Sequence, residues 1–236
     1  MALLSGFFVG ADANGQDYAA RRERLVAEVD AMYAETQRET GLARMSAPVR
    51  KALGAVERHR FVPAGQMDLA YRNHPLPIGG GQTISQPYIV ALSTDLLEPR
   101  AEHVVLDVGT GSGYQAAVLA KIVGQVYSIE LLEELGRSAA ARLAELGYRN
   151  VEVRIGDGYA GWPEKGPFDG IVVTAAAPHV PPALIEQLKP GGRLVIPVGA
   201  DGWAQHLKVI TKRADGGYDE RNVLPVRFVP LVPGKR

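Results

Sequence analysis

The chain has 236 residues, enough for one α/β domain with elaborations, and 46% of them are hydrophobic, which excludes a disordered chain. Lys and Arg total 26 and Asp and Glu total 26, so the formal net charge is zero and no broad basic face for non-specific nucleic-acid binding is expected. Cysteine is absent, which removes disulfides, a thiolate nucleophile and Cys-based zinc sites, and the five histidines lack HExxH spacing, so no metal is expected.

Met1 to Ala13 carries a short apolar run that ends in Ala11-Asp12-Ala13, a small-x-small pattern like that at a secretory cleavage site. No basic stretch precedes it, so the reading adopted is a loosely packed tail and a cytoplasmic protein; export to the periplasm or beyond is the alternative. No other run is long enough to span a membrane. Gln16 to Thr40 is charged, with Leu25, Val29, Met32 and Tyr33 at helical spacing and Gly41 as a stop, which predicts one amphipathic helix. Ser46 is placed to cap a second helix, with Pro48 in its first turn and Val49, Leu53 and Val56 on one face. Residues 1–45 are read as a tail and helical extension, and 46–236 as the main domain. Phe61 to Gln86 is crowded with Pro63, Pro75, Pro77, Gly79, Gly80 and Gly81. It is too rich in glycine and proline for regular elements and too long for an idle connection, so a functional loop is expected.

From Pro87 onward the pattern alternates. Tyr88 to Leu97 reads as a helix, Val104 to Val108 as a buried strand, and Gln115 to Ile122 as a helix. Gln125 to Glu130 follows as a strand, Leu132 to Leu146 as a helix stopped by Gly147, and Val151 to Ile155 as a strand. Phe168 to Thr174, a short helix over Pro181 to Leu188 closed by Lys189-Pro190-Gly191-Gly192, and a strand over Arg193 to Val198 complete the rhythm. This implies an α/β fold with a doubly wound, mostly parallel sheet. Gln205 to Lys212 and Tyr218 to Val229 flank Ala214-Asp215-Gly216-Gly217 and predict a final antiparallel hairpin.

The sharpest motif is Asp107-Val108-Gly109-Thr110-Gly111-Ser112-Gly113, a strand end that turns through alternate glycines into a helix. Such a turn lets a backbone approach a nucleotide-type cofactor closely. The spacing is not GxGxxG, since Tyr114 stands where a dinucleotide binder has glycine, and there is no GxxxxGK[ST] loop for ATP. The pattern with a leading Asp is the one that holds S-adenosylmethionine. Glu130, about twenty residues on at the next strand end, is placed for ribose hydroxyls. Asp157, between Gly156 and Gly158 at the third, is placed for an adenine amino group. Each acid has a plainer role open to it: a turn cap for Asp107, a helix N-terminal acid for Glu130, an Asx turn for Asp157.

Longer segments carry a resemblance. Arg58-His59-Arg60-Phe61-Val62-Pro63, Pro77 to Pro87 with its Gln82-Thr83-Ile84-Ser85-Gln86-Pro87, Leu106 to Tyr114, Gly156-Asp157-Gly158, Asp169 to Pro178, Leu188 to Gly199 and Phe228-Val229-Pro230-Leu231 closely resemble protein-L-isoaspartate O-methyltransferases over roughly Val49 to Val232. The glycine element is shared by many methyltransferases; the Gln82–Pro87 segment is specific to this family. The resemblance implies methyl transfer from S-adenosyl-L-methionine to the free α-carboxylate of L-isoaspartyl, and also D-aspartyl, residues of damaged proteins. S-adenosyl-L-homocysteine is the other product, and the ester then closes to a succinimide.

The resemblance implies Ser85 as the catalytic, carboxylate-orienting hydroxyl, with Thr83, Ile84 and Gln86 shaping the substrate pocket. Asp107, Gly109, Thr110, Gly111, Gly113, Glu130, Leu131, Asp157 and Gly158 are implied for the cofactor. Ser85 is also well placed to cap the helix that begins at Pro87. The Gly79–Gly81 run suits an extended peptide lying close to the loop, or a hinge. His179 is read as a loop residue that could line the pocket. Two features depart from the family: the long segment through Met45 has no family role, and Val232 cannot supply the polar contact some members make after Pro-Leu. A monomer acting without nucleic acid or membrane is expected. The other readings kept open are a related methyltransferase for a small molecule or RNA, and an inactive cofactor-binding module.

Overall fold

The computed structural model describes residues 17–199 and 204–234; the tail and cleavage-like pattern over residues 1–13 lie outside them. The main sheet has seven strands. In chain order these are β3 (Val104–Val108), β4 (Gln125–Glu130), β5 (Val151–Ile155), β6 (Phe168–Val173), β7 (Leu188–Val198), β8 (Gln205–Lys212) and β9 (Tyr218–Val226). A separate two-stranded ribbon precedes them, β1 (Leu76–Gly79) and β2 (Gln82–Ile84). The sheet order is β5-β4-β3-β6-β7-β8-β9, parallel from β5 to β7 and antiparallel through β8 and β9. The doubly wound reading and the terminal hairpin are both borne out. The order reverses between β3 and β6, so the crevice for a ligand opens beyond Val108 and Val173.

Alternation within the apolar strands explains their composition. Val105, Val172, Val195 and Val209 belong to one buried cluster. Leu106, Ile171, Val173, Leu194, Ile196 and Ile210 belong to another on the opposite face. Both faces are covered, so the central strands read as continuous hydrophobic runs.

The first cluster is roofed by helices. α1 (Tyr18–Glu35) and α2 (Gln37–Thr40) replace the single helix expected over Gln16–Thr40. The break falls at Thr36, whose hydroxyl bonds back to Met32 O at 2.8 Å, a local competitor of the helix ladder. Gly41 stops α2 at φ +77°. α3 (Ala47–Ala55) starts from the Ser46 cap, whose hydroxyl accepts from Val49 N. Leu25, Val29 and Tyr33 of α1 are buried with Val49 and Leu53 of α3 in that same cluster, and Tyr33 Oη donates to Asp95 Oδ2 at 2.6 Å. Asp95 lies on α4 (Pro87–Leu96). α5 (Tyr114–Ala120), α6 (Glu133–Glu145) and α7 (Pro182–Glu186) are the sheet crossovers.

Two expectations are corrected. Lys189–Gly192 does not close a turn; it lies inside β7, where the register with β6 shifts between Phe168 and Gly170. Phe61–Gln86 is not devoid of regular structure, because it contains the β1–β2 hairpin. Gly79, Gly80 and Gly81 form its tip at φ +97°, +59° and +72°, three successive left-handed residues that only glycine adopts readily. A strut fixes the approach to this hairpin. The fully buried Arg58 donates from Nε to Ala70 O at 2.8 Å and from Nη2 to His74 O at 3.3 Å, and its guanidinium lies 4.9 Å over the Tyr114 ring. Burial lowers its pKa to about 10, so it remains a cation at neutral pH.

Candidate active site

The glycine turn lies on the crevice at the sheet's switch point. Gly109, at φ +96°, could carry a side chain only at a cost: a Cβ there would sit 2.6 Å from Thr174 Oγ1. Gly111, at φ +52°, donates its amide to Glu130 Oε2 at 2.8 Å. Gly113, at φ +88°, precedes α5, and a Cβ on it would press on Leu143 at 3.1 Å. Its space requirement thus comes from α6 and not from the crevice.

Beneath the turn, Asp107 is wholly buried. Its Oδ2 accepts from Ser128 Oγ at 2.8 Å, and Ser128 Oγ in turn lies 2.6 Å from Thr110 Oγ1. Ser128 gives its proton to the carboxylate, so Thr110 must give its own to Ser128. Oδ1 has no partner among the described residues. Desolvation pushes the carboxyl up to about 7, against the Ser128 bond and with a smaller contribution from the Glu130 charge. Asp107 is therefore not the turn cap considered above.

Glu130 ends β4 almost fully buried. One oxygen takes Gly111 N and the other takes Leu132 N at 2.9 Å, so the carboxylate braces both the glycine turn and the entry to α6. Each oxygen keeps a lone pair for a further donor. Asp157 Oδ1 accepts from Tyr159 N at 2.8 Å, the Asx-turn role. At the neighbouring Gly158 a Cβ would lie 2.6 Å from Val108 Cγ1 and 3.2 Å from Leu231 Cδ1.

A cleft is lined by Gly109, Gly111, Glu130, Leu131, Leu132, Gly158, Thr174 and Ala175, with Gln82 and Thr83 on one side and Val229 to Val232 on the other. The hairpin leans over it: a Cβ on Gly80 would meet Leu132 Cδ1 at 3.3 Å, and one on Gly111 would meet Ile78 Cδ1 at 3.3 Å. The Gly79–Gly81 run thus serves a tight tip and close approach to the start of α6.

Beside the cleft is a cavity of about 420 Å³ lined by Pro75, Thr83, Ser85, Gln86, Ile89, Thr174 and Pro225 to Phe228. A recess lined by Thr83, Ile84, Ser85, Thr110, Gly111 and Thr174 lies between them. Thr83 and Thr174 line all three spaces. Ser85 is not the cap of α4: that position is Gln86, whose side chain makes no cap bond, and Pro87 lacks the amide that a cap would serve first. The Ser85 hydroxyl has no partner among the described residues and faces the cavity.

Most expected site residues are thus brought together. Gly109, Gly111, Glu130, Leu131 and Gly158 line the cleft, and Thr83, Ile84, Ser85, Gln86 and Thr110 line the cavity or recess. Asp107 lines none of them and is linked to Thr110 through Ser128. Gly113, Asp157 and His179 line none of these spaces. One contributor carried no role in the sequence reading, and another entered it only through the family resemblance. Thr174, directly after β6, donates to Gly109 O at 2.7 Å, a position signalled only by the end of an apolar run. The segment Val229–Val232 joins the cleft through Ala176, which donates to Val229 O at 2.8 Å and accepts from Leu231 N at 2.7 Å. Val232 lines the cleft as an apolar wall.

A doubly wound sheet with an Asp-led alternating glycine turn and an acid at the next strand end defines a class I S-adenosylmethionine-dependent methyltransferase. Residues 29–236 match the family model of protein-L-isoaspartate(D-aspartate) O-methyltransferase, and the chain belongs to that family. It is 52% identical over 234 residues to protein-L-isoaspartate O-methyltransferase 2 of Syntrophobacter fumaroxidans, covering 99% of this chain and 94% of that one. It is 56% identical over 218 residues to protein-L-isoaspartate O-methyltransferase 1 of Nitrosospira multiformis, covering 92% and 89%. A solved protein-L-isoaspartate O-methyltransferase superposes with a TM-score of 0.74 at 29% identity, covering 89% of this chain and 65% of that one. A Plasmodium falciparum structure in complex with S-adenosyl-L-homocysteine shares the fold, with a TM-score of 0.72 at 24% identity over 92% of this chain.

Proposed function

We propose that this protein is a repair methyltransferase that uses S-adenosyl-L-methionine to methylate the α-carboxylate of L-isoaspartyl, and D-aspartyl, residues in damaged proteins. The observation that carries the reading is the continuity of the cofactor cleft with the Ser85 cavity through Thr83 and Thr174. The donor set suits that cofactor. An orphaned buried carboxylate oxygen on Asp107 suits a cation, Glu130 has lone pairs for a ribose diol, and Leu131, Leu132 and Leu231 offer apolar walls to a flat ring.

When bound, S-adenosyl-L-methionine supplies a methyl group activated on a sulfonium and leaves as S-adenosyl-L-homocysteine. The chain needs no general base, because the attacking carboxylate, with an ordinary pKa of about 3.9, is already ionised at neutral pH. What the residues must supply is alignment and dryness. Ser85 Oγ donates to one carboxylate oxygen and turns the other toward the cleft. Thr83 and Gln86 shape the pocket around it, and the β1–β2 hairpin shuts out water from the cleft side. Residues 46–236 carry the chemistry in this reading, and 1–45 form a helical extension that supports them. The balanced charge favours a protein substrate over a nucleic acid, and the enzyme works as a cytoplasmic monomer.

The test is methyl transfer to a peptide containing L-isoaspartate beside its L-aspartate twin. Both peptides carry one ionised carboxylate at the site, so only geometry separates them. Methylation of the isoaspartyl peptide alone is expected. Equal methylation, or turnover of a small acid in place of either peptide, overturns the assignment.

A further inference from the structure

The cavity beside the cofactor cleft is lined by neutral residues with a single exception, Arg227. It directly follows β9, is exposed at the cavity's mouth, and makes no hydrogen bond or ion pair among the described residues. Its mount, by contrast, is rigid. The buried Gln205 grips the next residue from both ends of its amide: Oε1 accepts from Phe228 N at 2.7 Å and Nε2 donates to Phe228 O at 3.2 Å. A buried amide satisfied at both ends holds the backbone beside Arg227 in one place. Among the described residues, the charged group lining the adjoining cleft is Glu130, already engaged by two backbone amides.

We propose that Arg227 is a specificity residue that reads the charge of the residue flanking the damaged site, favouring an acidic neighbour and disfavouring a basic one. This rests on the proposed use of the Ser85 cavity for the isoaspartyl residue. The guanidinium does not act on the reacting carboxylate. A cation held against that nucleophile would stabilise the charged ground state more than the charge-neutralising transition state and would slow the transfer. At the exposed mouth it meets the next residues of the peptide, where its attraction is screened and modest. A selector at the rim acts through KM and leaves kcat little changed among peptides.

The experiment uses isoaspartyl peptides identical except for one residue, Glu, Gln or Lys, placed on either side of the isoaspartate. For the unaltered enzyme, kcat/KM is expected to fall from Glu to Gln to Lys on at least one side, with a total spread of about three- to tenfold carried by KM and reduced by added salt. Arg227→Gln is expected to collapse the spread, and Arg227→Glu to reverse the order. Ratios among peptides within one variant cancel any general loss of activity. A spread that persists in Arg227→Gln, or no spread in the unaltered enzyme, overturns the proposal. Failure to methylate even the Gln peptide would instead overturn the isoaspartyl assignment.

Discussion

Thr174 Oγ1 donates to the carbonyl of Gly109 across 2.7 Å, and the Thr174 amide donates to Val108 O at 2.9 Å. These bonds join the ends of the two strands between which the sheet reverses its order. Gly109→Ala drives a Cβ to 2.6 Å from that hydroxyl and places it at φ +96°, so two penalties add. A loss of about 1–3 kcal/mol is expected, with weakened cofactor binding. Adding Thr174→Ala removes the clash and leaves the strained φ, so the double variant should recover only part of the loss in chemical denaturation. Full recovery would show that the backbone conformation carries no cost.

Glu130 is expected to govern cofactor affinity. Glu130→Ala removes an acceptor for a ribose diol and the brace on Gly111 N and Leu132 N together. The dissociation constant for S-adenosylmethionine should rise by one to two decades, about 1.5–3 kcal/mol for charged hydrogen bonds. Titration calorimetry on the folded variant measures it. Unchanged affinity would take Glu130 out of the ligand's reach and leave it a purely structural acid.

The strands were legible because both faces of the sheet are covered, so runs such as Val104–Val108 and Phe168–Val173 are apolar apart from Asp107 and Asp169. The glycine turn and Glu130 were legible because the chemistry sits at successive strand ends, a local pattern. The hairpin was not: three consecutive glycines read as a loop, and only the strand pairing and the approach of Gly80 to Leu132 and Leu135 show that they form an ordered tip. Thr174 was not legible, and Val229–Val232 only through the resemblance, for a different reason. They reach the site through strand register and the Ala176 bridge, both pairings between residues remote in sequence. Asp157 Oδ1 serves its own turn, a role the sequence reading also offered.

Ser85 carries no cap bond for α4, so its replacement is expected to affect turnover more than stability. Ser85→Ala should lower kcat on an isoaspartyl peptide by one to two decades, the scale for losing one hydrogen bond to a charged group, about 1.5–3 kcal/mol. The midpoint of denaturation and the cofactor dissociation constant should change little. A variant that turns over normally per folded molecule would leave the carboxylate to be oriented by Thr83 or by backbone groups instead.

Asp107 makes both stability and cofactor binding depend on pH. Its carboxyl titrates near 3.9 in an unfolded chain and is pushed up to about 7 in the fold, chiefly by desolvation. The folded state therefore holds this proton more tightly than the unfolded state. Its favourable contribution is full below about 4, declines as pH rises, and is gone once pH passes the folded value near 7. In the proposed reading the positive charge of the cofactor is paired with the orphaned Oδ1, and that pairing demands the ionised form. Affinity for S-adenosylmethionine should accordingly rise with pH, by up to about tenfold per unit for one released proton, and level off above about 7. Asp107→Asn is isosteric and cannot titrate, so it should lose Asp107's share of the stability slope over that window and flatten the affinity profile. Comparing the two proteins cancels groups common to both, including Asp95, whose carboxyl is also raised by burial. Calorimetric titrations from pH 5.5 to 8.5 measure the affinity arm. An Asn variant with the unaltered protein's pH slope would mean that the proton linked to cofactor binding resides on another group, and that Asp107 is a structural acid of the Ser128–Thr110 network alone.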